Sequence, residues 1–198
     1  MNRFPAAAGP PVQVVLADAN VMYSRSLRDY LLYAAEAGAV GVAWSQAILD
    51  DVTEHLMANV PGFGAEAAVR LLDALAETFP DAVFEPSGED YARLEGLVLR
   101  DEDDRHVMAA ALAAEADIIC TSNLKHFPRA ELAKLGVAVM SPDDLFTQLI
   151  GTRLAAMIEA HRAAVANFAG SSDQSTVAAL RRAGAARAAD MMSELLGL

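Results

Sequence analysis

The stretch Asp101-Glu-Asp-Asp-Arg-His-Val-Met-Ala-Ala-Ala111 places four acidic residues directly before a run of small and apolar ones. Read as a helix with 100° per residue, it puts Asp101 and Asp104 on the face that packs and turns Glu102 and Asp103 toward water. A carboxylate on a packed helix face is costly unless a cation or hydrogen-bond donors meet it. The pattern therefore predicts a metal site that includes Asp104, with Asp101 beside it.

A capping role is the alternative interpretation of the same acids. Asp101 would then be the N-cap of the helix and Asp104 its third residue, where carboxylates satisfy free backbone N–H groups. Both interpretations stay open for Asp101. For Asp104 the metal interpretation is favoured, because packing residues occupy its face of the helix.

Short apolar runs alternate with helical patterns through residues 12–148. The predicted strands are 12–17, 40–43, 117–121 and 137–140, with 82–84 left open. The predicted helices are 21–37, 46–58, 64–78, 88–99 and 103–115, and a further helix starts at Pro142. Strands that are apolar throughout are typical of a parallel sheet covered by helices on both faces, so the predicted fold class is α/β.

Polar residues follow two of the predicted strands. Asp18 and Asn20 come after the first strand, and Thr121 and Asn123 come after the strand at 117–121. Ligands of open α/β sheets bind beyond the carboxyl ends of strands, so these residues can meet although they are far apart in the chain. An N-cap role for Asp18 is the alternative, but Asn20 can cap the following helix equally well.

The helix predicted at 46–58 carries three acids, Asp50, Asp51 and Glu54. At 100° per residue, Asp51 lies nearest to the buried apolar stripe and Glu54 lies farthest from it. Asp51 is therefore the acid that we expect to lean into a cleft, by a slim margin over Asp50.

Asp18, Asp51 and Asp104 thus come from three separate elements of the predicted fold. All three offer oxygen ligands, which suit hard cations such as Mg²⁺ or Mn²⁺. One ion can activate a water while another steadies the leaving oxygen in the displacement of a phosphodiester. The three acids together therefore favour metal-dependent phosphodiester hydrolysis.

Four segments of the chain together resemble a PIN domain, and more narrowly the VapC-type toxins of bacterial toxin–antitoxin pairs. They are Val14-Val-Leu-Ala-Asp18-Ala-Asn20, Ser45-Gln-Ala-Ile-Leu-Asp-Asp51-Val, the Asp101–Ala111 stretch, and Ile118-Ile-Cys-Thr121-Ser-Asn123-Leu-Lys-His-Phe-Pro128. Each segment alone is a weak signal, whereas the four in the family's order and spacing are fairly specific. The resemblance covers residues 12 to about 148.

The resemblance implies a PIN-like parallel sheet and a Mg²⁺- or Mn²⁺-dependent ribonuclease whose cleft is blocked by a cognate antitoxin. By position, it implies that Asp18, Asp51 and Asp104 are the catalytic and metal-binding acids and that Asp101 is an additional metal ligand. Thr121 corresponds to the hydroxyl residue that orients substrate or water. The expected substrate contacts are Asn20, Asn123, Arg105 and Lys125, and further candidates for phosphate are Arg25, Arg28 and Arg129.

The chain departs from the family pattern at two positions. Many members place an acid where this chain has Asn123, which leaves open whether one metal or two are bound. An acid is also common where this chain has His126, and we expect His126 to be an ordinary surface residue, with a phosphate contact as the alternative. Arg105, in turn, has the alternative of pairing only with neighbouring acids.

Composition and charge limit the classes of protein to consider. Residues 1–150 hold 23 Asp and Glu against 10 Lys and Arg, which argues against broad, sequence-independent coating of nucleic acid. A single cysteine allows no disulfide framework and no Cys-rich zinc site, and it suits a reducing cytoplasm. We see no signal peptide and no apolar run near the roughly 20 residues that span a bilayer. We therefore expect a cytoplasmic protein without a membrane partner.

Three parts are predicted along the chain. Residues 1–11 are expected to form a flexible N-terminal tail, residues 12–148 the nuclease domain, and residues 149–198 a helical C-terminal extension. Within the extension we predict helices at 152–168 and 174–197, the second interrupted near Gly184. We expect this small annex to pack on the domain or to form a dimer, and a homodimer is left open.

Two other functions compete with the ribonuclease toxin. One is a catalytically degenerate PIN domain that binds RNA or a protein without cutting, for which Asn123 is the best support. The other, less favoured, is a phosphatase of the haloacid dehalogenase type. That chemistry needs a second acid two residues after the nucleophile, where this chain has Asn20.

Overall fold

A computed structural model describes residues 12–198, so the predicted tail at 1–11 lies outside the described residues. Its sheet has four strands, which are β1 (Val14–Ala17), β2 (Gly41–Ala43), β3 (Ile118–Cys120) and β4 (Ala138–Met140). All neighbours pair in parallel, in the order β2-β1-β3-β4. The four strands predicted from the apolar runs are therefore confirmed, each slightly shorter than expected.

Helices surround this sheet and continue beyond it. They are α1 (Ala19–Met22), α2 (Arg25–Glu36), α3 (Gln46–Asn59), α4 (Ala65–Thr78), α5 (Gly88–Ala92), α6 (Arg105–Ala113), α7 (Arg129–Lys134), α8 (Pro142–Thr152), α9 (Leu154–Ala166), α10 (Asp173–Arg182) and α11 (Ala186–Leu196). Within residues 12–198, no helix has both the length and the apolarity needed to cross a membrane.

The two central strands form the middle of the hydrophobic core. Val15 to Ala17 on β1 and all of β3 are buried. Because successive side chains of a strand point to opposite faces, burial of consecutive residues means that both faces of the sheet are covered. The molecule therefore has the predicted α/β architecture, a parallel sheet flanked by helices with extra helices at its C-terminal end.

The C-terminal helices pack on the body of the protein. Helix α9 lies against α2, and α11 lies against α8 and α10. Arg187 on α11 forms ion pairs with Asp143, at 2.8 Å, and with Asp144, both near the start of α8. The predicted interruption near Gly184 is confirmed, because this glycine adopts a φ of 97° between α10 and α11. The predicted division of the chain at residue 148 falls within α8 and stays a prediction.

Two predicted helices were wrong, and the segment 82–84, which the sequence left open, forms no strand. The helix expected at 88–99 ends at Ala92, and Gly96 beyond it adopts a φ of 80°, which keeps the rest of the segment from continuing as a helix. Residues 82–84 form no strand beyond a single bridge between Val83 and Trp44. The helix expected at 21–37 is divided into α1 and α2.

The burial of β1 generates a stability prediction. Leu16 lies between the two neighbouring strands and is fully buried, so Leu16→Ala should lower the free energy of unfolding by about 2–5 kcal/mol through lost contacts and a cavity. Val98 is 90% exposed, so Val98→Ala should change it by no more than about 0.5 kcal/mol. Urea unfolding of both variants measures the difference, and equal costs would contradict the described core.

Candidate metal centre

Asp18 lies at the carboxyl end of β1, where the chain turns into α1. Its backbone N–H donates to the carbonyl of Cys120 at 3.1 Å, which holds the residue beside the end of β3. Asp18 is only 5% exposed and occupies the N-cap position of α1, yet its side chain makes no capping hydrogen bond to that helix. The capping interpretation therefore does not account for its carboxylate.

Neutral side chains from both strand ends hydrogen-bond to the Asp18 carboxylate. The hydroxyl of Thr121, which is fully buried, donates to Asp18 Oδ2 at 2.6 Å. Asn20 Nδ2 donates to the same Asp18 oxygen and to Thr121 Oγ1, the latter at 2.9 Å. Asn20 Oδ1 in turn accepts from the backbone N–H of Ser122 at 2.7 Å. Four residues from two strand ends thus form one connected network.

The environment of Asp18 favours its neutral form. Burial raises the pKa of this carboxyl above its usual range, the Thr121 hydrogen bond opposes that rise, and the nearby charge of Asp104 adds to it. A buried carboxylate with neutral donors and a second acid nearby is an electrostatic cost that a bound cation would offset.

Asp101 and Asp104 approach His126, which lies in the loop after β3. His126 Nδ1 is 2.8 Å from Asp104 Oδ2 and 4.0 Å from Asp101 Oδ2. One ligand atom from each of the three side chains lies within 4.8 Å of the others. Two carboxylates and one imidazole form a donor set that fits a divalent cation.

The backbone around these acids differs from the continuous helix assumed for the sequence. Residues Glu102–Asp104 form a 3-10 turn, and Asp101 precedes it in an extended conformation and accepts a hydrogen bond from the backbone N–H of Asp103 at 3.2 Å. Capping by Asp101 is therefore real. The predicted exposure is confirmed for Glu102 and Asp103, which face water, and for Asp104, which is partly buried, whereas the side chain of Asp101 is 46% exposed.

Asp51 lies on α3 and approaches a different histidine. Its side chain is 52% exposed, and its Oδ2 lies 3.4 Å from Nε2 of His106 at the start of α6. Partial burial raises the pKa of Asp51, the nearby His106 opposes the rise, and neighbouring acids including Asp103 add to it. Asp51 is not one of the three side chains that converge on His126.

The residues predicted to contact substrate differ in whether they already form hydrogen bonds or ion pairs with other residues. Arg105 donates from Nε to Glu102 at 2.8 Å and from Nη1 to the carbonyl of Leu94 at 3.0 Å, so the alternative of pairing with a neighbouring acid is the arrangement seen. The side chain of Lys125 is exposed and forms no hydrogen bond or ion pair with another residue of the range 12–198. Asn123 is also exposed, and its backbone N–H donates to Thr121 Oγ1 at 3.0 Å.

Two histidines beside the acids did not enter the predicted site. His126 was expected on the surface, but it is 28% exposed and bonded to Asp104. Its Nδ1 contact depends on the turn at Leu124–His126, which the apolar pattern does not reveal. Its position five residues after Thr121, beyond the same strand end, is the signal that could have found it. His106 directly follows Arg105 in the acidic stretch. Its contact with Asp51 could not be predicted from the sequence, because it depends on the packing of α6 near α3.

Two comparisons with known proteins found a match. A family model described as PIN domain matches residues 14–125. The protein named "Putative ribonuclease VapC50", from Mycobacterium tuberculosis (strain ATCC 25618 / H37Rv), is 49% identical over 41 residues, which is 21% of this chain. The matched part spans about a quarter of that relative's length, 24%. No solved structure matches the chain.

The burial of Asp18 generates a pH-dependent stability prediction. Because the pKa of Asp18 is raised by folding, the cost of its buried charge is present at pH values above the folded pKa and absent below the unfolded value of 3.8. In the presence of a chelator, Asp18→Asn should therefore raise the free energy of unfolding at pH 8 by on the order of 1 kcal/mol. The gain should shrink as the pH falls toward 4.

Chemical unfolding across this pH range measures the effect. Asp50→Asn is the matched control, because Asp50 is an exposed acid on α3 and should show neither the gain nor its pH dependence. A loss of stability in Asp18→Asn that is equal at all pH values would contradict the described electrostatics.

Proposed function

This chain belongs to the PIN domain family, and from that premise we propose that it is a divalent-metal-dependent endoribonuclease that acts as the toxin of a toxin–antitoxin pair. Family membership supports a nuclease, and the name of the partial relative, a ribonuclease, supports RNA as the substrate. Metal dependence and the toxin role are the finer parts of the proposal.

The observation that carries the proposal is a buried acid at the carboxyl end of β1 with a second acid, from the start of α6, close to it. Asp18 is buried beside the end of β3, and Asp104 is near enough to raise its pKa. Within the described part of the chain, no Lys or Arg forms an ion pair with Asp18, Asp101 or Asp104. Their oxygen ligands suit Mg²⁺ or Mn²⁺, which would balance the negative charge.

In this proposal, the metal ligands are the four acids Asp18, Asp104, Asp101 and Asp51. A bound divalent cation supplies positive charge that activates water and stabilises the leaving oxygen of a phosphodiester. Thr121 keeps one oxygen of Asp18 in place through its hydroxyl, and the network within the protein leaves that residue little freedom. Such fixed placement of charged groups is what lowers a barrier without reorganisation during the reaction.

The remaining predicted residues would contact RNA at the rim of the site. Asn123 and Lys125 are exposed next to His126, where a phosphate of a bound strand can reach them. Asn20 is committed to Asp18, Thr121 and Ser122, so its contribution is to position these groups. Arg105 must leave Glu102 before it can contact substrate.

The toxin role brings a partner and a location with it. We propose a cognate antitoxin protein that covers the acidic cleft, and a cytoplasmic location where RNA and antitoxin are both present. Homodimer formation stays a prediction. Membership of the PIN domain family speaks against a phosphatase of the haloacid dehalogenase type.

A ribonuclease assay with a matched pair of variants tests the proposal. Asp104→Asn should lower the rate of RNA cleavage in Mg²⁺ or Mn²⁺ by about 100-fold or more, because it removes a ligand of an ion that contributes several kcal/mol to the transition state. Asp103→Asn is the control, since Asp103 neighbours Asp104 in the chain but faces water, and it should retain the parent rate within about threefold.

Two results would contradict the proposal in different ways. Equal rates for Asp104→Asn and the parent would show that the site assignment is wrong. If neither form cleaves RNA and titration calorimetry detects no Mn²⁺ binding to the parent, the protein is a non-cutting binding module.

A further inference from the structure

His126 stands where two carboxylates converge. Its Nδ1 is 2.8 Å from Asp104 Oδ2 and 4.0 Å from Asp101 Oδ2, and all three ligand atoms lie within 4.8 Å of one another. The imidazole reaches them from the 3-10 turn after β3, whereas both acids precede α6. Three donors from two separate segments thus surround one small space.

A simple hydrogen bond accounts for only part of this geometry. A proton on Nδ1 can be donated to Asp104, but the 4.0 Å separation from Asp101 is too long for a second hydrogen bond. The adjacent Arg105, which could have neutralised both acids, turns away to Glu102 and the Leu94 carbonyl. Two neighbouring carboxylates therefore meet one imidazole, and among residues 12–198 no other side chain forms an ion pair with either of them.

The donor set here differs from the one around Asp18. There the carboxylate contacts the hydroxyl of Thr121 and the amide of Asn20. These three groups are already hydrogen-bonded to one another. The Asp101–Asp104–His126 cluster instead offers an imidazole nitrogen with two carboxylates. Mg²⁺ prefers oxygen ligands, whereas imidazole suits transition metals, whose affinity rises along the first row from Mn²⁺.

We propose that His126 is a direct ligand of a metal position shared with Asp101 and Asp104, and that this nitrogen makes the position select Mn²⁺ and later first-row ions over Mg²⁺. The inference rests on the proposed metal-dependent function and names the ion that this part of the site takes. Asp18 and its network remain an oxygen-based position on which the imidazole has no direct effect.

Pulsed electron paramagnetic resonance of bound Mn²⁺ tests the proposal directly, because it detects magnetic coupling to a ligating histidine nitrogen. The untagged chain of 198 residues, without RNA, is the sample, and its four histidines make the assignment tractable. The parent should show the nitrogen coupling, and His126→Ala should lose it. His106→Ala and His55→Ala should retain it, since His106 lies against Asp51 and His55 stacks on Tyr23.

Competition between ions gives a second, independent measurement. His126→Ala should weaken Mn²⁺ binding by at least about 10-fold, with a smaller effect on Mg²⁺. His126→Asp replaces the nitrogen with an oxygen ligand, so it should bind both ions but lower the ratio of Mn²⁺ to Mg²⁺ affinity. This variant keeps the test decisive if His126→Ala fails to fold, as judged by circular dichroism.

The proposal is overturned if Mn²⁺ in the parent shows no nitrogen coupling, if the coupling survives in His126→Ala, or if it disappears in His106→Ala instead. An unchanged affinity ratio in His126→Asp overturns it as well. RNA cleavage by the parent in Mg²⁺ separates this inference from the proposed function. If the parent cleaves RNA but shows no nitrogen coupling, only the proposed role of His126 is wrong. If it shows nitrogen coupling but does not cleave RNA, only the proposed ribonuclease activity is wrong.

Discussion

The parallel pairing of β1 with β3 is the constraint on which the site depends. It brings Asp18 and Thr121 together at the same edge of the sheet, so that a hydroxyl from one strand end donates to a carboxylate from the other at 2.6 Å. A one-residue shift of register would turn every side chain of a strand to the opposite face of the sheet and break the packing of these buried residues. The hydrophobic core therefore fixes the position of a buried acid.

That buried acid is costly to the folded protein, and its neighbours reduce the cost without removing it. Thr121 and Asn20 give hydrogen bonds but no positive charge, and Asp104 adds repulsion. A bound cation would stabilise such a site strongly, because the side chains around Asp18 do not neutralise its negative charge. The ion pairs elsewhere, such as Arg105 with Glu102 and Arg187 with Asp143, contrast with this arrangement.

Much of the fold followed from local patterns. Runs such as Val14–Ala17 and Ile118–Cys120 are apolar throughout, and burial on both faces leaves no other composition for a central parallel strand. The wrong helix predictions lie where the spacing of apolar residues and the backbone conformation disagree. The apolar spacing of 88–99 continues past Ala92, but the helix ends there and turns follow it, up to Gly96 with a positive φ that a helix does not contain.

For the site, the sequence by itself determined that Asp18 and Thr121 would each follow the carboxyl end of a strand and that Glu102 and Asp103 would face water. Both results depend on periodicity and chain order, which are local properties. Only the tertiary structure decided that β1 and β3 are neighbours, that His126 meets Asp101 and Asp104, and that Asp51 meets His106 instead. These contacts depend on the direction in which irregular segments leave a strand or enter a helix, and the packing of the whole domain sets that direction.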